Sequence, residues 1–203
     1  QKLAMLGAIA GAGALIVLAS WLRFTVKTRT GARRYLDGAL LGVLPYERKN
    51  KTFLGFLRKK RRSILITYSL VSSGYLESVR KLATRLDHRM RRKGQKVIMV
   101  SSVAENEGKS SIASNVALAL SEKGRRFVVV DTDLKEPAQH KIFKEPGSKG
   151  KALTDYLDSK ASMDEVMSYQ QNGKIFTIFQ KTGVHNSAKY LDSGRMKRFI
   201  RDS

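Results

Sequence analysis

The chain has 203 residues and a formal net charge of +22, from 39 Lys and Arg against 17 Asp and Glu. It contains no cysteine, which excludes a disulfide framework and a thiolate zinc site. His88, His140 and His185 are scattered, with no further ligand at metal-site spacing, so redox and metal-hydrolase chemistry are disfavoured.

Charge of this size predicts attraction to polyanions, either nucleic acid or anionic lipid. There is no aromatic stacking motif or recognisable helix-turn-helix, so no nucleic-acid partner is expected. From Leu3 to Leu22 no side chain is charged. Twenty residues in a helix reach about 30 Å, enough to cross a bilayer core, and the stretch reads as one transmembrane helix over residues 1–22. A cleaved signal peptide fits less well, since no A-x-A site follows; a buried soluble helix is the other rival. Only Lys2 precedes the stretch, whereas Arg23, Lys27, Arg29, Arg33 and Arg34 follow, which places the C-terminal part in the cytoplasm. Gly7-x-x-x-Gly11 reads as generic helix packing.

Residues 23–70 read as a basic juxtamembrane linker with short strands or turns at "ALLGVLPY" and "SILITYSL". Its run Arg58-Lys59-Lys60-Arg61-Arg62 suits contact with membrane lipid or a solvated charged face. Residues 71–203 read as one α/β domain. Leu76, Val79, Leu82, Ala83 and Leu86 fall on one helical face, predicting an amphipathic helix from Leu76 to about Arg92, ended by Gly94. "KVIMVSS", residues 96–102, then reads as a buried strand, Ser111 to Glu122 as a helix, and "RFVVVD" as a second strand. Strand, helix, strand predicts a parallel βαβ unit. Helices are predicted near Ala152–Asp158, Ser162–Tyr169 and Ser187–Arg201, and a strand at "KIFTIF".

Between the first strand and its helix lies "SSVAENEGKSS". A phosphate-binding loop has the pattern G-x-x-x-x-G-K-[ST], and here Val103 stands where its first glycine belongs. The context suits the loop nonetheless, because a helix N-terminus offers unpaired N–H groups and the positive end of a dipole to phosphate. In this role Gly108 lets the main chain approach, Lys109 reaches the β and γ phosphates, Ser110 ligates Mg²⁺, and Ser111 adds a hydroxyl near the α phosphate. Glu105 and Glu107 put negative charge beside the same place. The second strand ends in "VVVDTDLKEP", placing Asp131 and Asp133 at its carboxyl edge, where two carboxylates can hold Mg²⁺ and orient a nucleophile, or merely make a polar turn.

The stretch from Ser101 to Pro137 resembles the bacterial tyrosine kinases of capsule and exopolysaccharide synthesis. The resemblance implies a deviant Walker P-loop NTPase fold, an α/β parallel sheet with flanking helices, incomplete here and preceded by one transmembrane helix. The Leu3–Leu22 stretch is similar to a membrane helix of the co-polymerase portion, "LLGVLP" to its proline-containing link, and "ESVRKL" to an E-x-x-R-x-x-R interface helix. On this resemblance Glu107, Gly108, Lys109, Ser110 and Ser111 bind ATP or ADP, Ser110, Asp131 and Asp133 hold Mg²⁺, and Lys109, Asp131 and Asp133 serve catalysis. It further implies self-association through the helix near Glu77 and Arg80, polysaccharide polymerisation and export machinery as partners, and a place in the bacterial inner or plasma membrane. Departures are Glu105-Asn106 in place of Pro-Gly, Lys135 in place of Arg, and Ala83 at the second arginine of the interface helix. The family's Walker B strand and tyrosine-rich tail are expected just past Ser203. An autophosphorylating tyrosine kinase, a partitioning-type ATPase and a non-catalytic activator or scaffold all remain open.

Overall fold

The computed structural model describes residues 11–15, 17, 38–47, 64–69, 71–143, 151–170 and 174–202. The main chain divides into two units, Gln1–Val43 and Leu44–Ser203. In the first, residues 11–15 form a helical turn. This corrects the membrane assignment: among the described residues no helix is long and apolar enough to cross a bilayer. Spanning takes about 20 consecutive helical residues, and the described part of this stretch, residues 11–15 and 17, is helical but shorter than that. The rest of the Leu3–Leu22 stretch and the Arg58–Arg62 cluster lie outside the described residues.

Among the described residues of the second unit the first helix is α1, Ser73–Lys93. Ser72 caps it, its hydroxyl accepting from the Tyr75 N–H, and Gly94 ends it in the left-handed conformation at φ 62°. Tyr75, Val79 and Ala83 make its buried stripe, with Leu76, Leu82 and Leu86 packed at the margin, as the helical spacing predicts. Arg91, Arg92 and Lys93 lie in the last turn, where the helix dipole favours positive charge. Part of the charge surplus is thus accommodated by helix geometry.

Helix α2, Lys109–Ser121, is buried from Ser114 to Ser121. Leu118 and Leu120 are essentially inaccessible, each stabilising the fold by about 2 kcal/mol through burial. After Gly124, strand β1, Phe127–Val130, leads into a turn and the short helix α3, Gln139–Ile142. Helices α4, Leu153–Leu157, and α5, Met163–Val166, precede strands β2, Met167–Gln170, and β3, Ile175–Ile178. Helices α6, Ser187–Leu191, and α7, Gly194–Asp202, follow.

The sheet has the order β1-β3-β2, with β1 parallel to β3 and β2 antiparallel to it. Central β3 contributes Ile175 to a core shared with α1, α2 and Val129, and Ile178 to a second core with Leu134, Leu153, Leu157, Met196 and Phe199.

Three expectations change. Residues 96–102 pair with no strand among the described residues, and Val97 and Met99 are 57% and 87% exposed. An extended segment becomes a strand only when its N–H and C=O groups find a ladder, and β1 gives its ladder to β3. The expected βαβ unit is therefore replaced by a parallel β1–β3 pair with a long connection. The helix expected over Ser162–Tyr169 stops at Val166, because residues 167–170 pair with β3 and Tyr169 packs on its register partner Phe176, ring centroids 4.8 Å apart. The helix expected over Ser187–Arg201 breaks at Asp192–Ser193, where the Ser193 hydroxyl accepts from the Met196 N–H and starts α7.

Candidate functional site

The loop before α2 is braced by its own side chains. The Ser102 hydroxyl donates to the Ala104 carbonyl at 2.8 Å, and the Glu107 carboxylate accepts from the N–H groups of Val103 and Ala104 at 3.0 and 3.1 Å. Glu107 thus turns its charge back into the loop. Asn106 takes a left-handed conformation, φ 61°, which Asn tolerates better than most residues. Gly108, also left-handed at φ 89°, sits at the N-cap of α2 and brings no side-chain cap. The first-turn amides of a 13-residue helix therefore point out at the loop, beside the positive end of its dipole.

Lys109 and Ser110 occupy that first turn. The Lys109 ammonium lies 3.0 Å from Oδ2 of Asp133, with the two side chains 33% and 26% exposed. The hydrogen bond to Asp133 raises the lysine above its ordinary range. Partial burial pulls the Asp133 carboxyl upward, but the Glu136 N–H, the Lys109 ammonium and the Lys135 N–H outweigh it and hold the group below its ordinary range. Both groups are charged at neutral pH, and the site joins a cation, a carboxylate and unpaired helix amides.

Asp131 behaves differently from Asp133. It is buried; its Oδ2 accepts from the N–H groups of Ala138 and Gln139 at 2.9 Å each, and its Oδ1 from the Asp133 N–H at 3.3 Å. Burial raises its carboxyl above the ordinary range against the pull of those amides. These bonds tie it to the turn that carries Asp133. A resident Mg²⁺ would thus find its hard oxygen ligands in the Ser110 hydroxyl and Asp133, completed by phosphate oxygens and water, as this cation prefers. Among the described residues no group of three or more His, Cys, Asp and Glu could hold a metal without such help.

The expected residues Gly108, Lys109, Ser110 and Ser111 thus share one helix start, Asp133 meets Lys109, and Glu107 braces the loop through its side chain. Asp131 follows β1, its carboxylate bonded to the turn that carries Asp133. Sequence reading missed two neighbours. Buried Gln139 bonds both Ser110 and Ser114 of α2; nothing in "KEPAQHK" marks it. Gly183 packs directly on the Lys135 carbonyl oxygen, where a Cβ would collide, and the Val184 N–H donates to the Leu134 carbonyl at 2.8 Å. On α1, Arg80 is bidentate to Glu122 at 2.9 and 3.2 Å, and Glu77 pairs with Lys81. Both expected interface residues are engaged within the chain.

No family model matches the chain. It is 24% identical over 186 residues to the tyrosine-protein kinase ptk of Acinetobacter johnsonii, covering 92% of this chain and 25% of that protein. It is 27% identical over 121 residues to the tyrosine-protein kinase YwqD of Bacillus subtilis, covering 60% of this chain and 50% of that one. The chain is homologous to the bacterial tyrosine kinases. The BceF tyrosine kinase domain superposes with a TM-score of 0.72 at 18% identity over 87% of this chain and 71% of that domain. For the kinase domain of the Escherichia coli tyrosine kinase ETK the TM-score is 0.63 at 19% identity, over 80% and 64%. These likenesses establish the mixed α/β fold of the tyrosine-kinase domains. The chain spans a quarter to a half of the two curated relatives' own length.

Proposed function

We propose that the second unit is the nucleotide-binding part of a bacterial tyrosine autokinase, with the phosphates of ATP or ADP seated on the first turn of α2. The observation that carries this reading is the Lys109–Asp133 pair, 3.0 Å apart, at the uncapped start of α2. A phosphate chain offers Lys109 a stronger anionic partner than a single carboxylate and offers the α2 amides the acceptors they lack. Released from Lys109, Asp133 becomes available with Ser110 for the cation that accompanies the phosphates. Mg²⁺ in that position supplies charge neutralisation for the phosphates. Lys109 draws charge off the γ-phosphoryl group as it passes from ATP to a tyrosine hydroxyl, and the α2 amides fix the phosphates' orientation.

The names of the relatives support tyrosine as the acceptor. A link to capsule or exopolysaccharide export is likewise part of the proposal, supported by relatives named for a cps region and as EpsB. Self-association through α1 belongs to it too. Arg80 and Glu122 are about half exposed, so a second copy of the chain could exchange partners with them at small cost.

The test is a titration of the 203-residue chain with fluorescent ADP, with and without Mg²⁺. Ser110→Ala is expected to weaken binding in Mg²⁺ about tenfold while changing Mg²⁺-free binding by less than about twofold. Unaltered Mg²⁺-dependent affinity in Ser110→Ala would remove Ser110 from the site.

A further inference from the structure

We propose that Gln139 is a positioning residue that keeps the Asp133 turn in register with Ser110 while Lys109 exchanges its carboxylate for phosphate. The proposal rests on the nucleotide reading above and assigns a role to a residue outside the loop and outside the aspartate pair.

Two links join the first turn of α2 to the turn after β1. One is the Lys109–Asp133 ion pair, partly exposed. When Lys109 turns toward a phosphate its hold on Asp133 loosens, at the moment the metal needs both sides aligned. The other link is buried. The Gln139 main-chain N–H donates to Oδ2 of Asp131 at 2.9 Å, its side-chain amide donates to the Ser110 carbonyl at 3.1 Å, and its Oε1 accepts from the Ser114 hydroxyl at 2.6 Å. The Ser114 hydroxyl also lies 2.8 Å from the Ser110 carbonyl, so three polar groups close a ring across α2 and α3.

This ring uses the carbonyl of Ser110 and leaves its hydroxyl out of the network. It reaches Asp133 through Asp131, whose Oδ1 accepts from the Asp133 N–H. Gln139 and Ser114 are buried, where water competes little and a satisfied polar network is rigid. The link therefore persists when Lys109 moves. Misplacing a ligand by an ångström can cost about a hundredfold in a reaction that depends on alignment, and Mg²⁺ tolerates poor geometry badly.

The quantity that reports this role is the ratio of ADP dissociation constants without and with Mg²⁺. A residue that only stabilises the fold would change both constants together. Gln139→Leu, close in volume and unable to bond, is expected to lower the ratio about tenfold while Mg²⁺-free ADP binding shifts by less than about twofold. Ser114→Ala removes one donor of the ring on a helix that favours alanine, and is expected to lower the ratio about threefold. If Gln139→Leu does not fold, Ser114→Ala decides alone. An unchanged ratio in the folded variants, or equal losses with and without Mg²⁺, overturns the positioning role while a weakened Ser110→Ala leaves the nucleotide site standing. A wild-type chain that binds no ADP under either condition overturns both.

Discussion

Replacing Asn115 with leucine is expected to lower the thermal midpoint of the second unit by about 10 °C, from a loss of about 3 kcal/mol. Asn115 is fully buried on α2. Its Oδ1 accepts from the Ile66 N–H at 2.8 Å, and its amide donates to the Ile64 carbonyl at 2.7 Å and approaches the Tyr75 hydroxyl at 3.3 Å. Leucine fills similar space but leaves a main-chain donor and a main-chain acceptor without partners, and each orphaned buried group costs about 1–3 kcal/mol. The segment it holds carries Leu65 and Ile66 into the core, so release of the latch also exposes apolar surface. Asn115→Asp buries a carboxyl and sets an oxygen against the Ile64 carbonyl, so it should destabilise at least as much as leucine. Melting followed by circular dichroism checks the order, and a shift below about 2 °C for Asn115→Leu would mean the latch contributes little.

Gly183→Ala is expected to cost about 1–3 kcal/mol through overpacking against main chain and also to weaken Mg²⁺-dependent ADP binding. The added Cβ would meet the Lys135 carbonyl oxygen, which no side-chain rotation can relieve. The collision pushes on the turn whose Glu136 N–H holds Oδ1 of Asp133 at 3.0 Å. Stability and ligand affinity should fall together, measured by melting and by the same ADP titration. A variant as stable as wild type with unchanged affinity would show that the 182–184 segment gives way freely and does not set the turn.

What could be read from sequence follows from which features are local. Helical spacing in residues 76–92 and 111–122, and β-branched "RFVVVD", fix local structure by their own periodicity, and α1, α2 and β1 stand close to where those patterns put them. The short strand at 175–178 is equally local in origin. Residues 96–102 look like a strand by composition, yet a strand exists only with a neighbour, and that choice is made across the sheet. Likewise Met167–Gln170 became a strand because β3 offered a ladder and Phe176 a ring for Tyr169. In the site, the Gly-Lys-Ser triplet and the two aspartates could be located from their spacing. That one aspartate faces Lys109 while the other ties down a turn depends on amides of Ala138 and Gln139 that no pattern in "DTDLKEPAQH" announces. Asn115 did leave a signal, a lone amide among apolar helix positions, though its partner 49 residues earlier could not be read from it.

The most direct measurement is the affinity of fluorescent ADP with Mg²⁺ for the wild-type chain and for Lys109→Met. Methionine keeps most of the length of the side chain and removes its charge, and because the Lys109–Asp133 pair is partly exposed the variant should melt close to wild type. If the phosphates sit on the first turn of α2, binding should weaken at least about tenfold, the loss of a charge-assisted hydrogen bond. Equal affinity in the two folded proteins would place the nucleotide elsewhere and contradict the account.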